Sequence, residues 1–251
     1  ILDVKRFFET RFRRYGNDHR ALDWSREGQL RRFVVLSRIG EFSDRSVLDL
    51  GAGLGHFYEF LKLRWPRVRY TGYDFSEELV EEAKRTHPDA RFEVRDVLRE
   101  PLTVTFDFVV SSGLHNLETG TNDADMTNLF RKAWSIAKVG IAFNMLSSRT
   151  KKRTNGRHYY PPERMLEALL KIAPCVTLEH NYMPHDFTIF LYKEWQKRRR
   201  SRFISRIIFH IQVSSTRCPA WEFSSSMTQH NFPRMTTTIA IESRLRADRA
   251  G

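Results

Sequence analysis

The sequence contains few of the residues that organise small secreted domains and metal proteins. Only two cysteines occur among its 251 residues, and neither Cys175 nor Cys218 belongs to a CxxC pair or a Cys/His cluster. A disulfide framework and a structural zinc site are therefore excluded as organising features. We expect no bound metal and a reducing, cytoplasmic environment.

Long hydrophobic runs are also missing. No apolar stretch approaches the roughly 20 residues that a membrane-spanning helix needs. Residues 1–16, ILDVKRFFETRFRRYG, carry charges throughout and contain no apolar core of the kind found in signal peptides. We expect a soluble protein that does not interact with a membrane, and the hydrophobic content of 41% is sufficient for a sizeable core.

Positive charge is abundant but unevenly distributed. The formal net charge is +12, and residues 196–251 contribute 11 basic against 3 acidic side chains to it. Residues 201–215 could form a strand or a short helix, but residues 216–238 are rich in Ser, Thr and Pro and show neither period. We therefore expect a peripheral, poorly ordered extension. Its basic run allows contact with nucleic acid, although a solvated charge run is the favoured interpretation.

The remainder of the chain alternates between short β-rich runs and amphipathic stretches. The runs SVLDL, VRYTGYD, ARFEVRD, FDFVVSS and VGIAFNML are separated by helix-like segments, which is the pattern of βαβ units with a parallel sheet. Before them, residues 1–45 predict two helices that are interrupted around Gly16 and could form a lid or a brace. We therefore expect an N-terminal helical segment (1–45), a ligand-binding domain (46–195) and the extension (196–251).

The last two predicted strands differ from the others in how they are connected. Only Pro184, His185 and Asp186 separate CVTLEHNYM from FTIFLYK, and so short a link cannot contain a crossover helix. The two strands must pair antiparallel. The fold class predicted is α/β, a doubly wound, mostly parallel seven-stranded sheet that ends in an antiparallel hairpin.

Glycines are concentrated where the first predicted strand ends. In VLDLGAGLG, Gly51, Gly53 and Gly55 allow a tight turn, close approach of a ligand to the backbone, and close packing of the next helix on the sheet. The dinucleotide fingerprint has the different spacing GxGxxG and requires a glycine where this chain has His56. The turn therefore favours a nucleotide-like ligand other than a dinucleotide.

Acidic residues occupy the ends of the first three strands. Asp49 precedes the glycine turn, Asp74 ends the second strand, and Asp96 ends the third. Ligands of open α/β sheets bind at this edge, where an acidic side chain can accept the hydroxyls of a ribose. A carboxylate is a poor neighbour for a phosphate but a good one for an ammonium group. The pattern favours a ribonucleoside that carries positive charge.

The motifs VLDLGAGLG, YTGYD, FEVRD and FDFVVSSG occur in this order before the predicted hairpin. Together they resemble the class I S-adenosylmethionine-dependent methyltransferases over roughly residues 30–193. The segments HDFTIFLY, RRYG and NMLS are similar to those of uncharacterised bacterial members of that family. The resemblance implies S-adenosylmethionine as the cofactor and S-adenosylhomocysteine (SAH) as its product.

The resemblance also implies which residues bind the cofactor. The turn from Asp49 to Gly55 would hold its methionine part, Asp74 its ribose, and Phe75 would flank the adenine. Asp96 and Val97 would meet the amino edge of the adenine, and Ser112 would lie near the reacting methyl group. The complete set of implied cofactor-binding residues is Asp49, Gly51, Ala52, Gly53, Gly55, Asp74, Phe75, Asp96, Val97 and Ser112.

Candidate catalytic residues follow the fourth predicted strand in SSGLHNL. His115 has an ordinary pKa that suits a general base, and Asn116 could orient a carbonyl or hydroxyl of the acceptor. In the N-terminal segment, Tyr15, Arg20 or Arg32 could meet the carboxylate of the cofactor. Further side chains lie in loops on the expected acceptor side, namely Tyr159, Tyr160, His185 and Asp186.

Three functional hypotheses remain open from the sequence. The leading one is methyl transfer to an oxygen, nitrogen or carbon atom of a small molecule. The second is methylation of RNA or protein with help from the basic segment 196–251. The third is a non-catalytic protein that binds the cofactor as a scaffold.

Overall fold

The computed structural model describes residues 3–195, which form one sheet with helices on both faces. The predicted extension, 196–251, lies outside the described residues. The helices are α1 (Val4–Tyr15), α2 (Arg26–Leu36), α3 (His56–Arg64), α4 (Glu77–Thr86), α5 (Asn122–Ile136) and α6 (Pro162–Leu170). The strands are β1 (Ser46–Leu50), β2 (Arg69–Asp74), β3 (Arg91–Val94), β4 (Phe106–Ser112), β5 (Ala137–Leu146), β6 (Cys175–Met183) and β7 (Asp186–Tyr192).

The predicted fold class is confirmed. The strand order is β3-β2-β1-β4-β5-β7-β6, with β1 to β5 parallel to one another and β7 antiparallel to both of its neighbours. Only Pro184 and His185 lie between β6 and β7. The carboxyl ends of β1, β2, β3 and β4 therefore meet at one edge of the sheet, where ligands of such folds bind.

One helix and one strand begin earlier in the chain than the sequence predicted. The helix-like segment between FDFVVSS and VGIAFNML was predicted from its apolar pattern, TNLFRKAWSIA, to begin at Thr127, but α5 begins at Asn122. Asp123 and Asp125 lie in its first turn, where negative charge interacts favourably with the helix dipole. The fifth strand likewise begins at Ala137 and not at Val139.

Two apolar layers lie on opposite faces of the sheet, as the alternation of β5 shows. Ile141 and Phe143 pack in the layer beneath α5 and α6, whereas Ala142 between them packs in the layer with α2 and α3. Successive side chains of a strand point to opposite faces, so a strand buried on both faces reads as a continuous apolar run. The burial of β5 and β7 thus explains the continuous apolar runs from which these two strands were predicted.

The N-terminal helices pack differently from each other. α1 ends before Gly16, whose φ of 64° stops the helix where the sequence predicted an interruption. It lies near the start of α4, because Ser76 donates a hydrogen bond to Glu9 (3.0 Å) and Arg13 pairs with Glu78. α2 instead contributes to the layer beside the sheet through side chains such as Phe33. The boundary after residue 45 stays a prediction.

Within residues 3–195, the helices are too short or too polar to cross a membrane.

Candidate functional site

Two cavities lie at the carboxyl edge of the sheet. The smaller has a volume of 400 Å³ and includes six of the residues that the sequence singled out: Gly51, Asp74, Phe75, Asp96, Val97 and His115. The ends of β1, β2, β3 and β4 therefore converge as predicted. The larger cavity, of 780 Å³, includes Asn116 and side chains from the N-terminal segment.

The glycine turn has the backbone conformation that its sequence predicted. Gly51, Gly53 and Gly55 have φ values of 76°, 54° and 78°, in the left-handed region that favours glycine. A Cβ atom on Gly51 would lie 2.5 Å from Leu114, and one on Gly53 would lie 2.9 Å from Leu22. Both contacting atoms are terminal methyl carbons, so side chains rather than backbone cover the turn.

Asp74 is buried at the end of β2, with 7% of its surface exposed. Its carboxylate accepts hydrogen bonds from the backbone N–H groups of Gly53 (2.9 Å) and Ser76 (3.0 Å). Burial nevertheless raises the pKa of Asp74 above its usual range. Each carboxylate oxygen has a further lone pair, so Asp74 can still accept hydroxyl groups from the smaller cavity.

Asp49 does not have the position expected of an ammonium partner. Its side chain turns toward β2, where the Tyr70 hydroxyl donates to it at 2.5 Å, and it lines neither cavity. Burial raises the pKa of Asp49 to about 7, so it carries only part of a negative charge at neutral pH. The contact of this carboxylate with the cofactor ammonium stays a prediction, which this position does not favour.

The burial of Asp49 predicts how stability depends on pH. A carboxyl whose pKa is raised by folding stabilises the protein below its unfolded pKa, and that contribution is lost as pH rises through about 7. Asp49→Asn removes this titration, so its free energy of unfolding relative to wild type is expected to increase between pH 4 and pH 7 and then level off. Urea denaturation across this range measures the difference, and a constant difference would contradict the prediction.

Asp96, the third acidic position, lines the smaller cavity and also forms local hydrogen bonds. Asp96 accepts hydrogen bonds from the N–H groups of Leu98 (3.1 Å) and Arg99 (3.2 Å), which closes a turn after β3. Val97, buried within that turn, and Phe75 after β2 provide apolar walls of the smaller cavity. An apolar slot beside carboxylates is suited to a nucleoside.

Five predicted cofactor residues lie outside both cavities, namely Asp49, Ala52, Gly53, Gly55 and Ser112. Ala52 is buried, Gly55 precedes α3, and half-buried Ser112 ends β4. A Cβ atom on Gly55 would lie 2.8 Å from both His87 and Phe92, so this glycine permits close packing. Their proposed contacts with the cofactor stay predictions.

The two candidate catalytic residues face different cavities. The ring of His115 is buried beside the smaller cavity, where Nε2 has no hydrogen-bond partner among residues 3–195, and burial lowers its pKa. Asn116 lines the larger cavity and uses Oδ1 to accept from the N–H of Leu146 (3.3 Å), while its Nδ2 has no partner within residues 3–195. Asn116 is thus the better placed of the two to contact an acceptor.

The N-terminal segment and β7 meet in a buried ion pair beside the larger cavity. Arg32 is 3% exposed and pairs with Asp186, which is fully buried. The guanidinium carbon also lies 3.8 Å from the ring centroid of Trp24. The contact of Arg32 with a cofactor carboxylate stays a prediction, because Nη2 pairs with Asp186 whereas Nε has no hydrogen-bond partner within residues 3–195.

Sequence reasoning missed several residues of the larger cavity. Gly113 has a φ of 71°, and a Cβ atom there would lie 2.5 Å from Trp24. Leu117 lines both cavities. Lys151 and Lys152 come from the loop before α6, where a run of basic residues was the only available signal.

The sequence comparisons point to a single family. Residues 47–140 match the family model described as "Methyltransferase domain". The ubiquinone/menaquinone biosynthesis C-methyltransferase of Desulfotalea psychrophila is 33% identical over 82 residues, which is 33% of this chain and 33% of that protein. A Mycobacterium tuberculosis protein with a provisional methyltransferase name is 26% identical over 159 residues, 59% of this chain and 93% of that protein. This chain thus aligns with about a third of the length of the first relative.

Solved methyltransferase structures share this fold. The magnesium protoporphyrin IX methyltransferase of Synechocystis PCC 6803 with bound SAH superposes with a TM-score of 0.58 at 16% identity, covering 76% of this chain and 98% of that one. The apolar walls and the carboxylates of the smaller cavity suit the adenosine half of the cofactor. Its methionine half would lie over the glycine turn, once the covering leucine methyl groups rotate aside. Residues 47–140 therefore match a methyltransferase domain, and the chain shares the fold of a solved methyltransferase with bound SAH.

Proposed function

We propose that this protein transfers a methyl group to a small-molecule acceptor held in the larger cavity. The observation that carries the proposal is the arrangement of the two cavities along the segment Gly113–Leu117, in which Leu117 is a wall of both. A donor in one cavity and an acceptor in the other would meet across this segment. Such positioning can supply much of the rate enhancement of a group transfer.

The cofactor supplies an activated methyl group on a sulfonium, so the protein chiefly has to bind and orient. Asp74 would hold the ribose hydroxyls, and Phe75 and Val97 would enclose the adenine. Trp24 and Leu117 present apolar surface to the larger cavity and would exclude water from the acceptor. These roles follow from the positions of the side chains at the two cavity walls.

Asn116 is proposed to orient the acceptor. It is 6% exposed, and its buried Nδ2, which has no partner within the described residues, is costly unless a ligand accepts its hydrogen bond. Its Nδ2 also lies close to Gly113, within 2.8 Å of the position that a Cβ atom there would take. An acceptor oxygen bound by Asn116 would therefore lie beside the segment that separates the cavities.

The larger cavity favours a small molecule over a macromolecule. Its volume of 780 Å³ is within the range of sites for cofactor-sized and drug-sized ligands, about 300–1,000 Å³. The quinone-pathway relative is named as a C-methyltransferase, which is compatible with an acceptor atom of carbon as well as of oxygen or nitrogen. RNA or protein methylation would depend chiefly on residues 196–251.

The test is a turnover screen with the full chain. The protein is incubated with S-adenosylmethionine and a panel of small molecules, and both SAH and a product heavier by one CH₂ group are measured by mass spectrometry. Formation of both with a small molecule is the expected result. Turnover only with RNA or protein would show that the acceptor is a macromolecule and not a small molecule. SAH binding without any turnover would favour a non-catalytic scaffold.

Substitutions in SSGLHNL separate the two candidate catalytic residues. Asn116→Ala is expected to raise KM for the acceptor about threefold to tenfold, the effect of one hydrogen bond, with cofactor affinity unchanged. His115→Gln is expected to weaken SAH binding instead, because its ring faces the smaller cavity. Steady-state kinetics and calorimetric titration measure these effects, and exposed Asn128→Ala in α5 is the control. Lost turnover with normal SAH affinity in His115→Gln would identify a general base.

A further inference from the structure

We infer that the acceptor is an amphiphilic organic acid, a small molecule with an apolar body and an anionic group. This inference rests on the proposed function, because it concerns the ligand of the same larger cavity. It is carried by three properties of the cavity wall: an excess of positive charge, buried hydrogen-bond donors without partners, and apolar side chains.

The excess charge comes from the loop before α6. Arg32 and Arg157 at this cavity are each paired with a carboxylate, of Asp186 and Asp23 respectively. Arg31 likewise pairs with Glu27. In contrast, the ammonium groups of Lys151 and Lys152 have no ion-pair partner anywhere in residues 3–195. These two lysines therefore leave the cavity with uncompensated positive charge, which attracts an anion and repels a cationic amine.

Unpartnered polar atoms in the wall also favour an acidic ligand. Nδ2 of Asn116 and Nε of Arg32 are buried, and neither has a hydrogen-bond partner among the residues described. Both are donors only, so they require acceptor atoms from whatever fills the space beside them. Carboxylate and phosphate oxygens are acceptors with several lone pairs, and hydrogen bonds to charged groups are stronger than those between neutral groups.

The cavity wall also contains apolar side chains. They are an aromatic ring from the N-terminal segment and side chains from three other parts of the chain, namely Trp24, Leu117, Leu146, Met183 and Pro184. A simple dicarboxylic acid or a sugar phosphate would leave this surface in contact with polar groups. An acid with a ring or an aliphatic body would cover it and gain about 25 cal/mol per Å² of apolar surface removed from water.

The test measures binding, independently of turnover. The full chain saturated with SAH is titrated by calorimetry with one-ring and two-ring aromatic carboxylates, each paired with its neutral primary amide, and with the corresponding aryl phosphates. We expect acids of at least one ring system to bind tenfold or more tightly than their amides, with affinity that decreases as salt is added. The phosphate series shows which of the two anions the cavity prefers.

Paired charge-neutralising variants locate the binding site. Lys151→Ala/Lys152→Ala is expected to weaken binding of the preferred acid about tenfold and to leave binding of its amide unchanged. Lys84→Ala/Lys171→Ala removes the same charge from exposed helix positions paired with Glu81 and Glu167, and should have no effect. If SAH binds normally but the acids bind no better than their amides, the inference about the acceptor is wrong, while the proposed function is unaffected. Equal effects of the two double variants would also overturn the inference and leave the proposed function unaffected. Failure to bind SAH would instead contradict the proposed function.

Discussion

Replacing Asp186 with leucine is expected to destabilise the protein by about 3–5 kcal/mol, the cost of leaving a buried charge without its partner. Arg32 is 3% exposed, and arginine side chains keep their charge in proteins. Without Asp186 its guanidinium would remain charged among apolar groups and the ring of Trp24. Urea denaturation of the full chain, followed by circular dichroism, measures this loss.

The reciprocal substitution is expected to cost less. In Arg32→Met, Asp186 can become neutral by taking up a proton, and burial already raises the pKa of this carboxyl in the wild type. The cost of Arg32→Met should therefore decrease as pH falls, whereas that of Asp186→Leu should not. The double variant should be more stable than Asp186→Leu alone. Equal costs at all pH values would contradict a buried charge pair, and Arg67→Met at the exposed Arg67 and Asp44 pair is the control, with little change expected.

Asp74→Ala is expected to weaken SAH binding by about 2 kcal/mol, or roughly thirtyfold, because hydrogen bonds to a charged carboxylate are lost. The variant also leaves the N–H groups of Gly53 and Ser76 without their acceptor, which loosens the glycine turn at the same time. Both effects act in the same direction on the affinity for SAH. Calorimetric titration of SAH into the full chain measures it.

A control separates the site from general loss of charge. Asp89→Ala removes a half-exposed carboxylate that pairs with Lys62 after α4, away from the cavity, and should leave the affinity for SAH unchanged. A thermal melt shows whether Asp74→Ala is folded at the temperature of the titration. If the folded variant binds SAH as tightly as wild type, the ribose role assigned to Asp74 is wrong.

The fold was predictable because the signals it depends on are local. The strands SVLDL and FDFVVSS have the predicted boundaries, since each is a short β-rich run between polar or glycine-containing segments. The two-residue link before β7 permits only a hairpin, so the antiparallel edge also followed from the sequence. The start of α5 was missed because Asn122 and its neighbours are polar. These residues stabilise the end of the helix and are not part of its apolar face.

The site was less predictable because it depends on the direction of side chains. The sequence placed Asp49, Asp74 and Asp96 at one edge of the sheet, and the backbone positions agree. It could not show that the carboxylate of Asp49 turns toward Tyr70, because that contact joins residues 21 positions apart. The pairing of Arg32 with Asp186 spans 154 positions and had no local signal.

The segment before α2 gives the two ligands a shared wall. Leu22 covers Gly53 of the glycine turn, and the adjacent residues Asp23 and Trp24 line the larger cavity. A cofactor that displaces Leu22 therefore changes the free-energy cost of arranging the two residues next to it. The resulting coupling is reciprocal: any factor by which the cofactor tightens acceptor binding is also the factor by which the acceptor tightens cofactor binding. The size of this coupling would then depend on three consecutive residues.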